Sequence, residues 1–393
     1  MTYLCGMSGG KKEEIYFKNL DGLRFLAAFA VIIGHCQAIL FKGHEEVGIR
    51  VYSPFADKLG SFGVDFFFVL SGFLISYLLM REIEDTQTVN IKHFYMRRFL
   101  RIWPLYFFVG ISSIILGTTM SLFFGGWLGY PPDVQSTDQM LKNLLYLGTF
   151  SINFQTLLQQ GNQFQVGHFW SLAVEEQFYL LWAPVFFIFR KRLLPMILVF
   201  IIIGLLLNLP PKTWFPQFYS FQYNFTANRF LQFGTGALLA WLLHRDFLTP
   251  QYPLSKMQSW GLQLVVLIPM LWHLLGSHYH PETYKDGYEQ IENSIISVAI
   301  ISAAITRYSV LHFEFGLLKY LGKISFGIYV FHIISVRIMA YLLTTYAHSP
   351  FMERNPIFHF LFVVGSTFLA VFLSALSYEF LEKPFLKLKR KFK

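Results

Sequence analysis

Residues 22–41 read GLRFLAAFAVIIGHCQAILF, an apolar stretch interrupted by two ionisable side chains, Arg24 and His35. At about 1.5 Å of rise per residue, this stretch is long enough to cross the hydrocarbon core of a bilayer as a helix. A turn of about 100° per residue places Arg24 and His35 on one helix face, about three turns apart. Burying an ionisable group in a membrane is costly, which favours a functional role for His35. The alternative is a packing histidine and an arginine that only sets topology.

The composition of the whole chain is that of a membrane protein. Of its 393 residues, 54% are hydrophobic and 14% are charged, and the mean hydropathy is +0.45. A soluble domain would carry more charge. The net charge of +9 does not indicate a nucleic-acid partner. The basic residues lie in short segments between apolar stretches, where they set topology and contact anionic lipid headgroups.

The apolar stretches predict the fold class, an all-α polytopic membrane protein with about ten transmembrane helices. A weaker apolar segment, 140–157, carries Lys142 and two asparagines. It is expected to form an interfacial or re-entrant helix rather than a span. The ten predicted spans are 22–41, 63–80, 102–123, 171–189, 193–209, 229–244, 257–275, 291–307, 321–345 and 357–381.

The distribution of basic residues predicts the orientation. With both termini in the cytoplasm, the cytoplasmic segments hold about three times as many Lys and Arg residues as the opposite side. The predicted organisation is a cytoplasmic N-terminal tail (1–21), a single membrane domain (22–386) and a basic cytoplasmic tail (387–393). The N-terminus does not have the pattern of a cleaved signal peptide.

The two cysteines do not suggest a structural or metal-binding role. Cys5 lies in the polar N-terminal tail and Cys36 lies inside the first predicted span, so a disulfide between them is not expected. Neither a metal nor a permanently bound cofactor is expected.

A cluster of arginines opens the third predicted span. Arg97 and Arg101 have i,i+4 spacing and Arg98 and Arg101 have i,i+3 spacing, so their side chains are neighbours on a helix. Guanidinium groups suit a phosphate clamp because each offers bidentate donors. Topology and headgroup contact alone are the alternative. In the block GVDFFFVLSGF, Asp65 is expected to cap its helix or to pair with a buried cation.

The segment GHFWSLAVEEQFY contains two adjacent carboxylates. Ser171, Glu175 and Tyr179 share one helix face, whereas Glu176 points about 100° away. A carboxylate at membrane depth is costly unless it is paired or hydrated. One of the two is therefore expected to face an interior cavity, and the alternative is a structural ion pair with Arg229 or another buried base.

Two weaker features follow later in the chain. Asn228 and Arg229 open a span that is rich in small residues, and Ser325, Tyr329 and His332 fall on one face of a late helix. Packing, capping or anchoring at the membrane interface accounts for such groups more often than chemistry does.

The candidate groups lie at different depths. His35 is about 16 Å along its helix from Arg24, past the bilayer midplane toward the outside. Glu175 lies near the outer end of its own span, so the two could meet in the outer half of the membrane. The arginine cluster lies in the cytoplasmic half. A phosphate clamp inside and an acid–base group outside imply a ligand that reaches through the protein.

Six blocks, in order, resemble the acyltransferase-3 family of integral-membrane O-acyltransferases, and together they cover nearly the whole chain. The block 322–332, which ends in His332, differs slightly from the commoner family pattern. The blocks are the pair Arg24 and His35, GVDFFFVLSGF (63–73), RRFLRIWPLY (97–106), FWSLAVEEQFY (169–179), GKISFGIYVFH (322–332) and YEFLEKP (378–384).

The resemblance implies a ten-helix bundle in the bacterial inner membrane. It implies transfer of an acyl group, most often acetyl, from acyl-coenzyme A to a hydroxyl of a cell-surface glycan or other glycoside. Membrane lipid is then a further partner. The family's catalytic histidine and its partner arginine map to His35 and Arg24. Its donor-side arginines map to Arg97, Arg98 and Arg101, and its acidic motif maps to Glu175 and Glu176, with Glu175 preferred.

These inferences combine into a hypothesis of mechanism. Acyl-coenzyme A enters from the cytoplasm, and His35 takes the proton from the sugar hydroxyl as it attacks the thioester. Glu175 orients the imidazole, as a carboxylate does in a triad. Direct transfer and an acyl-histidine intermediate both remain open. The expected substrate-binding residues and oxyanion donors are Trp170, Ser171, Asn228, Arg229 and Ser71.

Two other classes of function remain as alternatives. A transporter or flippase of an envelope glycan precursor would also have many spans and buried charges, but the chain lacks evident related halves. A scaffold protein of envelope assembly would tolerate substitution of Arg24, His35 and Glu175. The acceptor-facing surface is expected in the loops 124–170, 210–228 and 276–290.

Overall fold

The computed structural model describes residues 16–41, 54–124, 137–157, 166–209, 224–247, 255–276, 288–346 and 356–392. Within these ranges the protein is all-helical and contains no β-strand. Most of the N-terminal tail, including Cys5, lies outside the described residues, as do large parts of the three predicted acceptor-facing loops.

Fourteen α-helices follow one another along the described chain. Short 3-10 turns, Gly167–Phe169 and Thr226–Arg229, lead into α6 and α8, and a π-turn, Tyr378–Glu382, separates the last two helices. The helices are α1 (Leu20–Phe41), α2 (Pro54–Thr86), α3 (Ile91–Phe124), α4 (Thr137–Gly148), α5 (Ile152–Leu157), α6 (Trp170–Ile188), α7 (Leu193–Asn208), α8 (Phe230–His244), α9 (Lys256–Gly276), α10 (Tyr288–Ile305), α11 (Gly316–Lys323), α12 (Ser325–Tyr346), α13 (Pro356–Ser377) and α14 (Lys383–Leu388).

All ten predicted spans are helical, because sustained apolar stretches of this length favour helices in a membrane. By length and composition, five of the described helical segments can cross a membrane, and α7 is a shorter apolar helix. The five are Leu20–Ala38, Lys58–Thr86, Ile91–Leu116, Ser325–Leu343 and Ile357–Leu388. The chain therefore has the architecture of an integral membrane protein.

Two predicted segments differ from the continuous helices expected. The segment 321–345 is broken at Ile324 into α11 and α12. The segment 140–157 forms two short helices, α4 and α5, separated by a turn that includes Phe150 at a positive φ of 52°. Because a helix this short cannot cross a bilayer, α4 and α5 are not spans.

The core of the bundle is built around α2, which packs against α1 and α8. The contact with α8 is unusually close at two glycines. A Cβ atom added to Gly72 would lie 2.2 Å from the carbonyl oxygen of Phe233, and one added to Gly236 would lie 2.0 Å from that of Val69. The two backbones thus touch without intervening side chains, as small residues permit between membrane helices.

A second packing layer brings α1 against α11, α12 and α13. Gly322 in α11 lies directly against the backbone of Asp21, since an added Cβ atom would be 1.9 Å from the Asp21 carbonyl oxygen. This contact fixes the start of α1 beside the break before α12. As a result, the middle of α1, which carries His35, faces α12.

Candidate active site

Three histidines from different elements meet inside the bundle, and we call them the histidine cluster: His35, His168 and His332. The ring centroids of His35 on α1 and His332 on α12 are 5.0 Å apart. The ring of His168, in the turn before α6, packs edge-to-face on His332 at 4.7 Å. His332 is 0% and His168 6% exposed, whereas His35 is only partly buried.

Backbone carbonyls determine which nitrogen of the two buried imidazoles carries a proton. Nδ1–H of His332 donates to the carbonyl of Tyr329, and Nε2–H of His168 donates to the carbonyl of Val330 at 3.0 Å. A carbonyl oxygen only accepts, so these nitrogens are the protonated ones in a neutral ring. The other nitrogens, Nε2 of His332 and Nδ1 of His168, are buried acceptors with no hydrogen-bond partner in the described chain.

The polar face of α6 begins beside the histidine cluster. The hydroxyl of Ser171 donates to the carbonyl of His168 at 3.1 Å and also hydrogen-bonds the hydroxyl of Tyr329. The ring of Tyr329 lies 5.3 Å from that of His332. Ser171 is thereby joined to the cluster through Tyr329.

One turn further along α6, Glu175 is held by two hydroxyl groups. Ser71 on α2 and Tyr179 on α6 each donate to its carboxylate. Within the described chain, Glu175 makes no hydrogen bond to His35. The structure therefore confirms the shared face of Ser171, Glu175 and Tyr179, but it does not bring Glu175 to the imidazole it was expected to orient.

Glu176 occupies a different environment from its neighbour. It is buried, and one carboxylate oxygen accepts a hydrogen bond from Nε1–H of Trp103 at 3.0 Å. The other oxygen has no partner in the described chain. Among the described residues, neither carboxylate forms an ion pair with Arg229, whose partner is Asp65, and the arginine that acts on both electrostatically is Arg98.

The arginine cluster lies at the far end of the same face. The guanidinium of Arg98 lies 5.7 Å from the ring centre of Tyr179 and 5.8 Å from that of Phe94. Arg24, Arg97 and Arg101 are close enough to repel Arg98 electrostatically, and Glu175 is close enough to attract it. Arg24 also forms an ion pair with Asp21, one turn before it on α1.

Arg97 does not share this environment. Its guanidinium pairs with Glu82 at 3.1 Å and donates to the carbonyl of Phe392 at 3.0 Å. The i,i+4 relation to Arg101 is present, yet the side chain is engaged by the end of α2 and the end of the described chain. Arg97 therefore stays close enough to repel Arg98, but within the described chain, unlike Arg98 and Arg101, it is paired with a carboxylate of another helix.

Together these contacts form a line of polar groups, which we call the polar file. It links the histidine cluster to the arginines through hydrogen bonds, ring contacts and one helix turn. In order, its members are His35, His332, Tyr329, Ser171, Glu175, Tyr179 and Arg98.

The expected substrate-binding residues Asn228 and Arg229 are enclosed by protein. Arg229 is 1% exposed, and its guanidinium pairs with Asp65 at 2.7 Å. The Asp65 carboxylate also accepts from Asn293 at 2.9 Å, as expected for a carboxylate paired with a buried cation. The Asn228 amide donates to the carbonyl of Leu207 at 3.1 Å.

Trp170 lies between this buried ion pair and the polar file. Its ring centre is 5.4 Å from the guanidinium of Arg229, and its neighbour in sequence is Ser171 of the polar file. Of the four expected substrate-binding residues, only Ser171 is joined to the histidine cluster by the contacts described above, whereas Trp170 packs on Arg229 and Phe68 and the other two belong to the closed ion-pair region.

His168 and His332 are the groups whose importance the sequence underrates. The shared helix face of Ser325, Tyr329 and His332 was the available signal, but face sharing cannot show what lies opposite. The three imidazoles do not form a metal site, since no group of at least three His, Cys, Asp or Glu side chains in the described ranges has the required arrangement.

An all-helical membrane protein with imidazoles at one end of a polar file and a cluster of arginines at the other has the features of a membrane group-transfer enzyme. The chain belongs to the acyltransferase-3 family, whose sequence model, described as an acyltransferase domain, matches residues 17–376. This match confirms the family expected from the six blocks.

Curated relatives are O-acetyltransferases by name. The chain is 29% identical over 388 residues to the peptidoglycan O-acetyltransferase OatA of Listeria monocytogenes, covering 95% of this chain and 56% of that protein. It is 25% identical over 395 residues to the O-acetyltransferase OatA of Staphylococcus aureus, covering 95% and 57%. The chain thus spans less than three fifths of the length of these relatives. No solved structure matches it.

Proposed function

We propose that this protein is a membrane O-acetyltransferase that moves an acetyl group from acetyl-coenzyme A to a hydroxyl of a cell-envelope glycan. Membership of the acyltransferase-3 family and similarity to a peptidoglycan O-acetyltransferase support this class of reaction. The observation that carries the proposal is the polar file, because it connects a group able to accept a proton with cations able to bind phosphate.

The proposed arrangement spans the bacterial inner membrane ten times with both termini in the cytoplasm. Acetyl-coenzyme A approaches the arginine end from the cytoplasm, and Arg98, Arg101 and Arg24 bind its phosphates. Arg98 and Arg101 form no ion pair with a carboxylate of the described chain, so their charge and donors remain available, and Arg24, although it pairs with Asp21, adds its charge nearby. The pantetheine arm then follows the polar file toward His35, where the glycan hydroxyl arrives from the outer side.

His35 acts as the general base in this reaction. Its imidazole takes the proton of the glycan hydroxyl while the hydroxyl oxygen attacks the thioester carbonyl. The C–S bond breaks, the new C–O ester bond forms, and the imidazolium returns the proton to the coenzyme A thiolate. Transfer through an acyl-histidine balances equally, with the acetyl group resting on His35 before the hydroxyl attacks.

The remaining members of the site assist at either end. Glu175 balances the charge of Arg98 and fixes Tyr179 beside the donor. Ser171 is linked to the histidine cluster, where its hydroxyl can hydrogen-bond an acceptor sugar, and the indole of Trp170, the residue before it, can stack on that sugar. This division follows from the contacts of each side chain rather than from its position in the sequence.

The test is transfer by purified protein in lipid nanodiscs supplied with radiolabelled acetyl-coenzyme A and soluble peptidoglycan fragments. We expect His35→Ala to lower transfer by about 10²–10⁴-fold, the usual contribution of a positioned general base. His312 is a matched control, since it is exposed and its Nδ1 also contacts a backbone carbonyl, that of Val310. His312→Ala should transfer at the wild-type rate.

Two results would contradict the proposal. One is transfer by His35→Ala at near the wild-type rate. The other is a wild-type protein that moves a glycan precursor across liposomes without acetyl-coenzyme A and never acetylates it, which would favour a flippase.

A further inference from the structure

The buried imidazole next to His35 has no assigned role in the proposed reaction. His332 is completely buried, its ring lies 5.0 Å from that of His35, and its Nε2 atom has no hydrogen-bond partner in the described chain. An unpartnered polar atom in a protein interior costs about 1–3 kcal/mol, so its retention calls for an explanation.

The contacts of His332 define what its free nitrogen can do. Because Nδ1–H donates to the Tyr329 carbonyl, Nε2 carries a lone pair and can only accept. The second orphan nitrogen of the cluster, Nδ1 of His168, is an acceptor for the same reason. Two buried acceptors side by side cannot satisfy each other, so a donor has to come from a third group.

The imidazole of His35 becomes such a donor during the proposed reaction. When it takes a proton, both of its nitrogens carry hydrogen. At a centroid distance of 5.0 Å, facing nitrogens of the two rings come within hydrogen-bonding range after small side-chain rotations. A hydrogen bond to a charged donor contributes more than one between neutral groups.

We propose that His332 is the positioning residue for His35: its Nε2 lone pair accepts a hydrogen bond from the imidazolium that forms on His35. This inference rests on the proposed function. His332 takes the part expected of Glu175, whose carboxylate is instead held by Ser71 and Tyr179. The proton remains on His35 until the coenzyme A thiolate receives it, so no further acceptor is needed.

The two amide replacements of histidine separate this role from a structural one. In His332→Asn, the amide takes the place of Nδ1, so the hydrogen bond to the Tyr329 carbonyl is kept and the Nε2 acceptor is lost. In His332→Gln, the amide reaches the place of Nε2, so an acceptor oxygen is restored there. A structural role predicts a mild Asn variant and a damaged Gln variant, and the positioning role predicts the reverse.

The experiment measures kcat and KM for acetyl-coenzyme A, with thermal unfolding of each purified variant. We expect His332→Asn to lower kcat by about 10–100-fold, equivalent to one hydrogen bond to a charged group, with KM within about twofold. His332→Gln should recover a large part of kcat. His312→Asn is the surface control and should leave kcat and KM unchanged.

If the Asn variant folds poorly, a double-mutant cycle with His35→Ala tests whether His332 acts through His35. His332→Ala removes the Nε2 acceptor, so it should lower kcat in the wild-type background and have no further effect on the residual rate of His35→Ala. A full additive loss there, or wild-type kcat in folded His332→Asn, would overturn the inference while leaving transfer by His35 intact. Failure of the wild-type protein to transfer acetyl at all would instead overturn the proposed function.

Discussion

Arg229 and Arg98 are both arginines inside the helical bundle, but their surroundings are opposite. Arg229 is 1% exposed and pairs with Asp65 at 2.7 Å, and Asn293 hydrogen-bonds the same carboxylate. Arg98 forms no ion pair with the described chain, and its Nε atom lacks a hydrogen-bond partner. Its neighbours are aromatic rings, other arginines and, at a longer range than an ion pair, the Glu175 carboxylate.

The difference supports separate roles for the two arginines. The protein itself neutralises Arg229, and a buried cation in that state has few donors left for a substrate. Around Arg98 the described chain places other arginines, whose mutual repulsion a bound anion would relieve, and the Glu175 carboxylate, which attracts the guanidinium without forming an ion pair with it. Under the proposed function, Arg229 therefore stabilises the fold and Arg98 binds the phosphates of the donor.

The largest expected effect comes from a substitution of Arg229, the arginine of the buried ion pair. Arg229→Met leaves the Asp65 carboxylate buried without its cation, which we expect to lower the free energy of unfolding by about 3–5 kcal/mol. Thermal unfolding of the purified protein in detergent measures the loss. Adding Asp65→Leu should restore most of the stability, and a double variant as unstable as the single one would show that the ion pair is not the cause.

A smaller effect, on binding of the donor rather than on stability, is expected from a substitution of Arg98. Arg98→Met should raise KM for acetyl-coenzyme A by about 10–100-fold through loss of charge-assisted hydrogen bonds to phosphate. The melting temperature should stay unchanged or rise, because like-charge repulsion is relieved. An unchanged KM, or a fall in melting temperature as large as that of Arg229→Met, would erase the distinction between the two arginines.

The smallest effect is expected at Arg97, which belongs to the same sequence block as Arg98. Arg97 is adjacent to Arg98 in sequence but already pairs with Glu82. We therefore expect Arg97→Met to cost about 1 kcal/mol or less in stability, the usual contribution of a partly exposed ion pair. KM should change by less than about threefold. A KM increase equal to that of Arg98→Met would place Arg97 at the donor after all.

The sequence predicts the helices well and their interruptions poorly. Each of the ten segments is helical because apolar length alone decides this in a membrane. The break at Ile324 is not visible in hydropathy, since it depends on the close contact of Gly322 with the backbone of Asp21. Likewise, the turn between α4 and α5 depends on Phe150 at a positive φ, which no apolar pattern encodes.

For the candidate active site, the sequence predicts which residues share a helix face, but it does not predict which residues of other helices they contact. Helical spacing places Ser171, Glu175 and Tyr179 together, and the structure agrees. Whether Glu175 meets His35 or Ser71 depends on how α6 packs against α2, which is a tertiary property. The same limit applies to His332, whose proximity to His35 arises from packing between α1 and α12.

The backbones of α2 and α8 are in contact at Gly72 and Gly236, and this contact limits how the site can change shape when the two substrates bind. With no side chains in that seam, the two helices have little freedom to slide or hinge apart. Asp65 and Ser71 lie six residues apart on α2, so about 9 Å of rigid helix separates the enclosed ion pair from the carboxylate at the donor end. Under the proposed function, the distance over which the thioester can extend toward His35 is therefore determined by the length of the flexible pantetheine arm of acetyl-coenzyme A.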